Sequence, residues 1–570
     1  MVRLEQLSSL LIKFPVYHVT SNQVIWINKK WDEYCDNQNF KNSFCKRFSY
    51  IAKDYAFHDS MELDKNSVKF AMTDCYGGKG VGMNAGGGRT GIVDGYQLKG
   101  IGRTYLVGEN GDEMHSYGGQ SFNSAIYEVI NTIVFDHILP IGTISCFGLI
   151  YTGSQSSRER DFSAGTIIPS PGAMTVREVC LRPAHFLRAP RFIPRQECIP
   201  YLPSDVERTR QANKQLRDLF SDHNGIVRFL GTFLYNCACQ LAFARVFRIA
   251  HGALSPSNIA FDGRWLDMTH VGFLDSGVNY KLNDVVALAF DDEQDIILSY
   301  LNEFLYTYSK YIGRYYNIQP LLEYYKNTFD AFFSENVIEL IGLNPSWVED
   351  KEVSKKLQSL VLEVKGLINS NEKYTTKRPV GPHAQDGIGQ FLTNIFKSLS
   401  RRDDPQLSDF FLNAYNFSKP DCSYVNFLVS SAIKSLKKSF FTSFFTYGRI
   451  LPRLKILIPQ EEPAFFEDYI DTHLDVAKWL FQSDDSANNF LFRSKGVSIR
   501  FIVKKGHYAV RCSGFESVFE SASDLGRWIL SQPDEELAID DHSFREALLQ
   551  LINILEMIES HYLAFARTTI

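Results

Sequence analysis

A chain of 570 residues, 45% hydrophobic and 22% charged, has ample material for a large core and for more than one domain. Its formal net charge of −5 argues against a broad cationic surface, so neither nucleic acid nor an anionic membrane is an expected partner. The first apolar run, Leu10 to Ile12, is broken by Lys13 and Pro15, and no small-residue cleavage site follows it. The longest apolar stretch, 132 to 151, contains Asp136, His137 and Pro140, so no transmembrane span is expected and the cytoplasm is the expected location. Among the ten cysteines the one close pair is Cys237 and Cys239, a spacing unsuited to zinc or to a helical disulfide, so free thiols are expected.

In chain order, residues 1–76 show no clean period and read as an irregular N-terminal extension. From Gly77 to Gly119 glycine is dense and alternates with short apolar runs, which predicts a twisted antiparallel sheet with tight turns; the β-rich unit is placed at 77–180. Ile126, Ile130, Ile133 and His137 recur at helical spacing before Pro140, putting Glu128 in the first turns of a helix. A long buried helix is expected over 224–249, inside a mainly helical unit at 181–481. That unit carries one apolar face at Leu301, Phe304, Leu305, Tyr308, Ile312 and Tyr315, and a long polar loop from Asn369 to Gly387. The last unit, 482–570, reads as a small α+β appendage with a hairpin around Lys505-Gly506 and a closing amphipathic helix from Phe544 to Ile558. The fold class that follows is α+β.

The most informative segment is HGALSPSNIAFDGRWLDMTHVGFLD, from His251 to Asp275. It contains H-x-x-L-x-P-x-N, then a short apolar strand, an Asp262-Gly263 turn and a return strand. A hairpin leaving at Asn258 and returning at Asp267 brings an amide oxygen and a carboxylate together, the hard oxygen pair that magnesium needs beside phosphates. His251 reads as scaffold.

The frame of this segment is that of the protein-kinase catalytic loop. Its length, His-Gly start, Asn-to-Asp interval and Gly-Phe-Leu-Asp ending resemble the selenoprotein O (SelO) family of pseudokinase adenylyltransferases. Upstream, NAGGGRTGIVDGYQLKGIGRT resembles that family's phosphate-binding stretch. The resemblance implies a protein-kinase-like bilobal fold that binds ATP with Mg2+ or Mn2+. Gly86, Gly88 and Arg89 would approach the nucleotide, Lys99 would reach its phosphates and pair with Glu128, and Asn258 and Asp267 would hold the metal. REVCLRPAHFLRAPRF resembles the stretch carrying two phosphate-contacting arginines, which matches Arg182 and Arg188, with Arg191 as the alternative to Arg188. The order of parts, glycine turn, strand lysine, helix glutamate and catalytic loop, is that of a kinase fold.

One departure bears on the reaction. Kinases carry a base two residues after the histidine, where this chain has Ala253; the resembled family carries one just before the metal-binding asparagine, where this chain has Ser257. General-base assistance is worth roughly 10²–10⁴-fold in rate. Asp262 as a displaced base, a nucleotide-binding scaffold without turnover, and an acceptor that needs no deprotonation all follow. A carboxylate, with a pKa of about 3.3–4.3, is such an acceptor. The expected function is AMP transfer to a protein or peptide. The alternatives are acyl-adenylate formation in maturation of a ribosomal peptide such as a microcin, with a partner acyltransferase, phosphotransfer to a small molecule, or an inactive scaffold.

Overall fold

The structure is a computed structural model that describes residues 2–31, 38–78, 83–111, 113–161, 165–273, 279–280, 292–348, 353–369, 374–375, 387–481, 488–494, 496–512, 514–533 and 542–568. The fold is mixed α+β. Eight strands build one sheet: β1 (Leu11–Val19), β2 (Gln23–Ile27), β3 (Tyr50–Ala52), β4 (Leu63–Asp74), β5 (Thr90–Val93), β6 (Tyr96–Lys99), β7 (Cys146–Asp161) and β8 (Thr166–Glu178). Their spatial order is β2-β7-β8-β6-β5-β4-β1-β3, and the neighbours pair antiparallel.

The stretch 1–76, expected as an irregular extension, supplies four of these strands. In β1 the buried side chains Ile12, Phe14 and Val16 alternate at period two, a signal partly hidden by Pro15. β2 buries four successive residues and so shows no alternation at all. The glycine-rich stretch behaves as expected at the β5–β6 turn, where Asp94 and Gly95 both adopt positive φ, as a two-residue hairpin with matching twist requires.

Helices α1 (Gln38–Phe48), α2 (Glu113–Ser116) and α3 (Phe122–Ile138) accompany the sheet. Ser121 caps α3 by accepting from the Ser124 N–H, and α3 is buried nearly all round because it lies between β7 and β8 and a later helix, α13 (Phe465–Phe481). Next come α4 (Asp205–Asp218) and α5 (Gly225–Val246), then the two-residue strands β9 (Ile249–Ala250) and β10 (Gly272–Phe273), which pair antiparallel around the loop segment. By length and composition α5 is apolar enough to cross a membrane, but 56% of its apolar window is buried inside the protein.

The helical part continues through α6 (Asp292–Ile312), α7 (Gln319–Leu340), α8 (Val353–Asn369), α9 (Gly387–Arg401), α10 (Pro405–Ser418), α11 (Tyr424–Phe440) and α12 (Tyr447–Leu457). On α6 the expected face is buried at Leu301, Phe304, Leu305 and Tyr308, whereas Tyr315 lies past the helix end and is 81% exposed. The two-residue strands β11 (Asn279–Tyr280) and β12 (Tyr374–Thr375) pair in parallel. Of the loop expected from Asn369 to Gly387, Asn369 closes α8, Gly387 opens α9 and Tyr374–Thr375 form β12, and the rest lies outside the described residues.

At the C-terminus β13 (Asn488–Ser494), β14 (Val497–Ile502), β15 (His507–Cys512) and β16 (Phe515–Phe519) form an antiparallel sheet in that order, with α14 (Ala522–Ser531) and α15 (His542–Thr568). The Lys505-Gly506 turn joins β14 to β15. A single apolar cluster runs from Leu4 through α3, α5 and the helices to Ile558 in α15, so this terminal unit shares the core of the rest. The nine described cysteines are free thiols.

Candidate functional site

Three distant segments meet at Lys99. β6 pairs with β8 so that Gln97 faces Arg177 and Lys99 faces Thr175, and all four are buried; period-two geometry puts a polar stripe on one face of the sheet. That stripe meets Glu128 on α3. Lys99 Nζ donates to both Glu128 carboxylate oxygens at 2.7 Å and to Asp267 Oδ1 at 2.6 Å. Glu128 also accepts from Gln120 Nε2 at 2.7 Å and from Arg177 at 3.5 Å. Burial draws the Lys99 ammonium below the ordinary lysine value, while Asp267 and Glu128 pull it back; two carboxylates within 2.7 Å keep it charged. Burial alone would raise the Asp267 carboxyl, but Lys99 and Arg89 reverse this and hold it well below the usual carboxylate range. Lys99 is 2% exposed, whereas the Asp267 side chain is 32% exposed.

Asp267 stands at the end of the expected hairpin. Ile259 bridges Trp265 antiparallel, and the Leu266 N–H donates to the Asn258 carbonyl at 3.1 Å. Asp267 then takes a left-handed backbone conformation, φ 60°, ψ 59°, which turns the chain at the position expected to hold the metal. His251 is scaffold: it is fully buried, and its Nε2 lies 3.1 Å from the Leu266 carbonyl. Asn258 spends its amide nitrogen on the Ala253 carbonyl at 2.8 Å, which leaves its amide oxygen to a weak 3.5 Å contact from the Ser257 hydroxyl. The Ser257 hydroxyl lies 2.9 Å from that of Ser255.

Asp262 is held away from this centre. Its carboxylate accepts from the Arg264 N–H at 3.1 Å and from Arg264 Nε at 2.8 Å, and Arg264 also grips Glu178 with both terminal nitrogens, at 2.6 and 2.8 Å. Leu274 and Asp275, the end of the motif, lie outside the described residues.

The glycine turn packs on the protein's own atoms. Gly86 has φ 139°, and a Cβ there would stand 2.2 Å from the Asp74 carbonyl oxygen; at Gly88 it would meet Asn84 Nδ2 at 2.7 Å. Arg89 is half-buried, and its carbonyl accepts from the Gly100 N–H, which places it beside Lys99. Arg182 is 3% exposed. Its guanidinium donates to the Ser257 carbonyl at 3.2 Å and to Gln97 Oε1 at 3.3 Å, approaches Asp74 Oδ2 at 3.5 Å and covers the Tyr76 ring. Arg188 stands apart from it, on Asp205 at 2.5 Å, and Arg191 is exposed.

Two groups escaped sequence reasoning. Asp74 is 1% exposed and accepts from Gln97, from Arg182 and from His185, whose Nδ1 in turn accepts the Arg182 N–H. Burial lowers His185, which stays neutral; burial would raise Asp74, but Arg182 and His185 overturn this and leave it ionised. The only signal was a second polar residue, Gln97, two positions before Lys99 in the same four-residue strand. The second is Glu293, fully buried on α6, which accepts from the N–H groups of His251 (3.3 Å) and Gly252 (2.8 Å) and from Arg245 (3.3 Å). It sits among acidic neighbours in the sequence, and nothing there distinguishes it.

Compared with known proteins, the chain matches no family model and no curated protein.

Proposed function

We propose that the protein is an ATP- and metal-dependent nucleotidyltransferase with a protein-kinase-like bilobal arrangement, transferring AMP to a protein or peptide. The observation that carries this reading is the convergence of Lys99, Glu128 and Asp267, a strand lysine, a helix glutamate and a loop aspartate, in the sequence order expected of a kinase-type nucleotide site. The donor set fits a hard divalent cation. The Asn258 amide oxygen has only a weak partner, Asp267 is ionised and one-third exposed, and Mg2+ or Mn2+ prefers such oxygens. When bound, the ion would screen the phosphates and draw charge off the leaving group. Lys99 would orient the phosphates, exchanging its contact with Asp267 for them, while Glu128 keeps it aimed.

The acceptor most compatible with this loop is a carboxylate. Ala253 has no base, Ser257 shares its hydroxyl with Ser255, and Arg264 occupies the Asp262 carboxylate. A carboxylate oxygen is already a nucleophile at neutral pH; its attack on the α-phosphorus forms the acyl phosphate bond and releases pyrophosphate, with no proton to move. Ordinary phosphotransfer and an inactive scaffold are the competing readings. Incubation with ATP labelled at the α or γ position tests all three. Label from the α position in a product that hydroxylamine converts to a hydroxamate is expected. Label from the γ position, or no Mg-ATP effect on the melting temperature of the intact chain, refutes the proposal.

A further inference from the structure

The two larger sheets end in four edge strands, β2, β3, β13 and β16. Three of them are covered: β3 is buried along its length, β2 buries four of its five residues, and β13 sinks Asn489, Leu491 and Phe492 into the interior. β16 is the exception. Its Phe515, Glu516, Ser517 and Val518 are all exposed, Phe515 by 80% and Val518 by 59%. β15 satisfies one row of its backbone groups, and the row facing away from β15 has no backbone partner among the described residues. Proteins blunt such an edge with lysine, proline or a bulge. β16 carries none of these: it contains neither residue, and its pairing with β15 runs without a register shift. Its one charge, Glu516, is already paired with Arg500 of its own sheet at 2.9 Å.

We propose that β16 pairs with β16 of a second copy of this chain, antiparallel and centred on Ser517, so that the two four-stranded sheets join into one. The strand's own sequence, Phe-Glu-Ser-Val-Phe, fits that register on both faces. On one face Phe515 stands opposite Phe519 of the second copy, and two small serines meet at the axis. Phe519 already packs on Trp528, ring centroids 5.7 Å apart, so each exposed Phe515 gains an aromatic neighbour. On the other face Glu516 stands opposite Val518 of the second copy, and no like charges meet head-on. A foreign strand would have to supply this match, whereas a second copy carries it by symmetry. Each copy has one such edge among the described residues, so the pairing consumes it and closes as a dimer instead of growing into a fibre.

Sedimentation velocity on the full chain, without nucleotide, reads the assembly directly and is independent of the nucleotide reading. The parent should show a monomer–dimer equilibrium with a Kd of about 1–100 μM, the range of a small interface. Ser517→Lys and Ser517→Glu change an exposed side chain at the two-fold axis, so the far-UV circular dichroism of each should match the parent. Each should weaken dimerisation about tenfold or more, because like charges then oppose one another. Mixing the two variants should restore the dimer, since lysine then faces glutamate; a variant that had merely misfolded would not be rescued. A parent that stays monomeric at about 100 μM, an assembly that keeps growing with concentration, variants that dimerise like the parent, or a mixture no tighter than either variant alone overturns the proposal. So does a monomeric parent that binds a capped Thr-Val-Thr-Val-Thr peptide, which would assign the edge to a foreign strand.

Discussion

Arg182 was expected to contact phosphate, and its surroundings assign it a further burden. Its guanidinium is buried against Asp74, Gln97, the Ser257 carbonyl and the Tyr76 ring, and Asp74 itself is 1% exposed. Removing one member of a buried ion pair leaves a charge without compensation, at a cost of about 3–5 kcal/mol. Arg182→Ala should therefore lower the free energy of urea unfolding by an amount of that order, before any effect on nucleotide binding is read. A variant as stable as the parent would mean that Asp74 is satisfied without it. Arg188 is itself 42% exposed and shares Asp205 with Arg208, so it should by contrast tolerate alanine with little change in stability. Lys99, Glu128 and Asp267 were legible because each sits in a recognisable local frame. The burial of Arg182 was not, since a phosphate clamp and a structural ion pair use the same side chain and differ only in what the fold brings to face it.

The hairpin from Asn258 to Asp267 depends on elements outside its own sequence. Glu293 on α6 holds the turn that leads into it by accepting the His251 and Gly252 N–H groups and pairing with Arg245, and Glu293, Arg245 and His251 are all buried. Glu293→Ala should cost about 3–5 kcal/mol in unfolding free energy and also abolish the Mg-ATP-dependent melting shift, because the loop loses its anchor. Glu293→Gln should recover part of the stability, since its amide oxygen still accepts the N–H groups; equal losses in both variants would show that the charge on Arg245, not the loop, is what Glu293 serves. The sequence displayed the hairpin through Asp262-Gly263 but gave no hint of this anchor, more than 25 residues beyond the turn. A related limit explains β2: a strand whose two faces are both covered has no alternation to read.

At the scale of the whole molecule, one core joins sheet, helices and terminal unit, so groups far from the Lys99 centre set the conditions under which it stays assembled. His473 is one of them. It lies on α13, the helix that packs on α3 behind Glu128, and is 3% exposed; its Nδ1–H donates to the Tyr469 carbonyl at 2.8 Å and its ring stacks on Phe444 at 4.8 Å. Burial pushes its pKa down to about 4, against about 6.5 in the unfolded chain. The folded state therefore refuses a proton that the unfolded state accepts. Stability is full above about pH 6.5 and declines as the pH falls toward 4, by about 2 kcal/mol at pH 5 from this residue alone. His185 and His251, both lowered chiefly by burial, add in the same direction, whereas Glu559, raised by burial, opposes them. Asp74 and Asp267 are depressed carboxylates whose contribution is lost only below about pH 4, outside this window. Urea unfolding at pH 7.5 and pH 5 should show the decline in the parent, and His473→Phe, which keeps the aromatic stack, should flatten it by about 2 kcal/mol. An identical pH dependence in the variant would mean that His473 is protonated in the fold, and that the helix behind Glu128 is more open to solvent than its burial indicates.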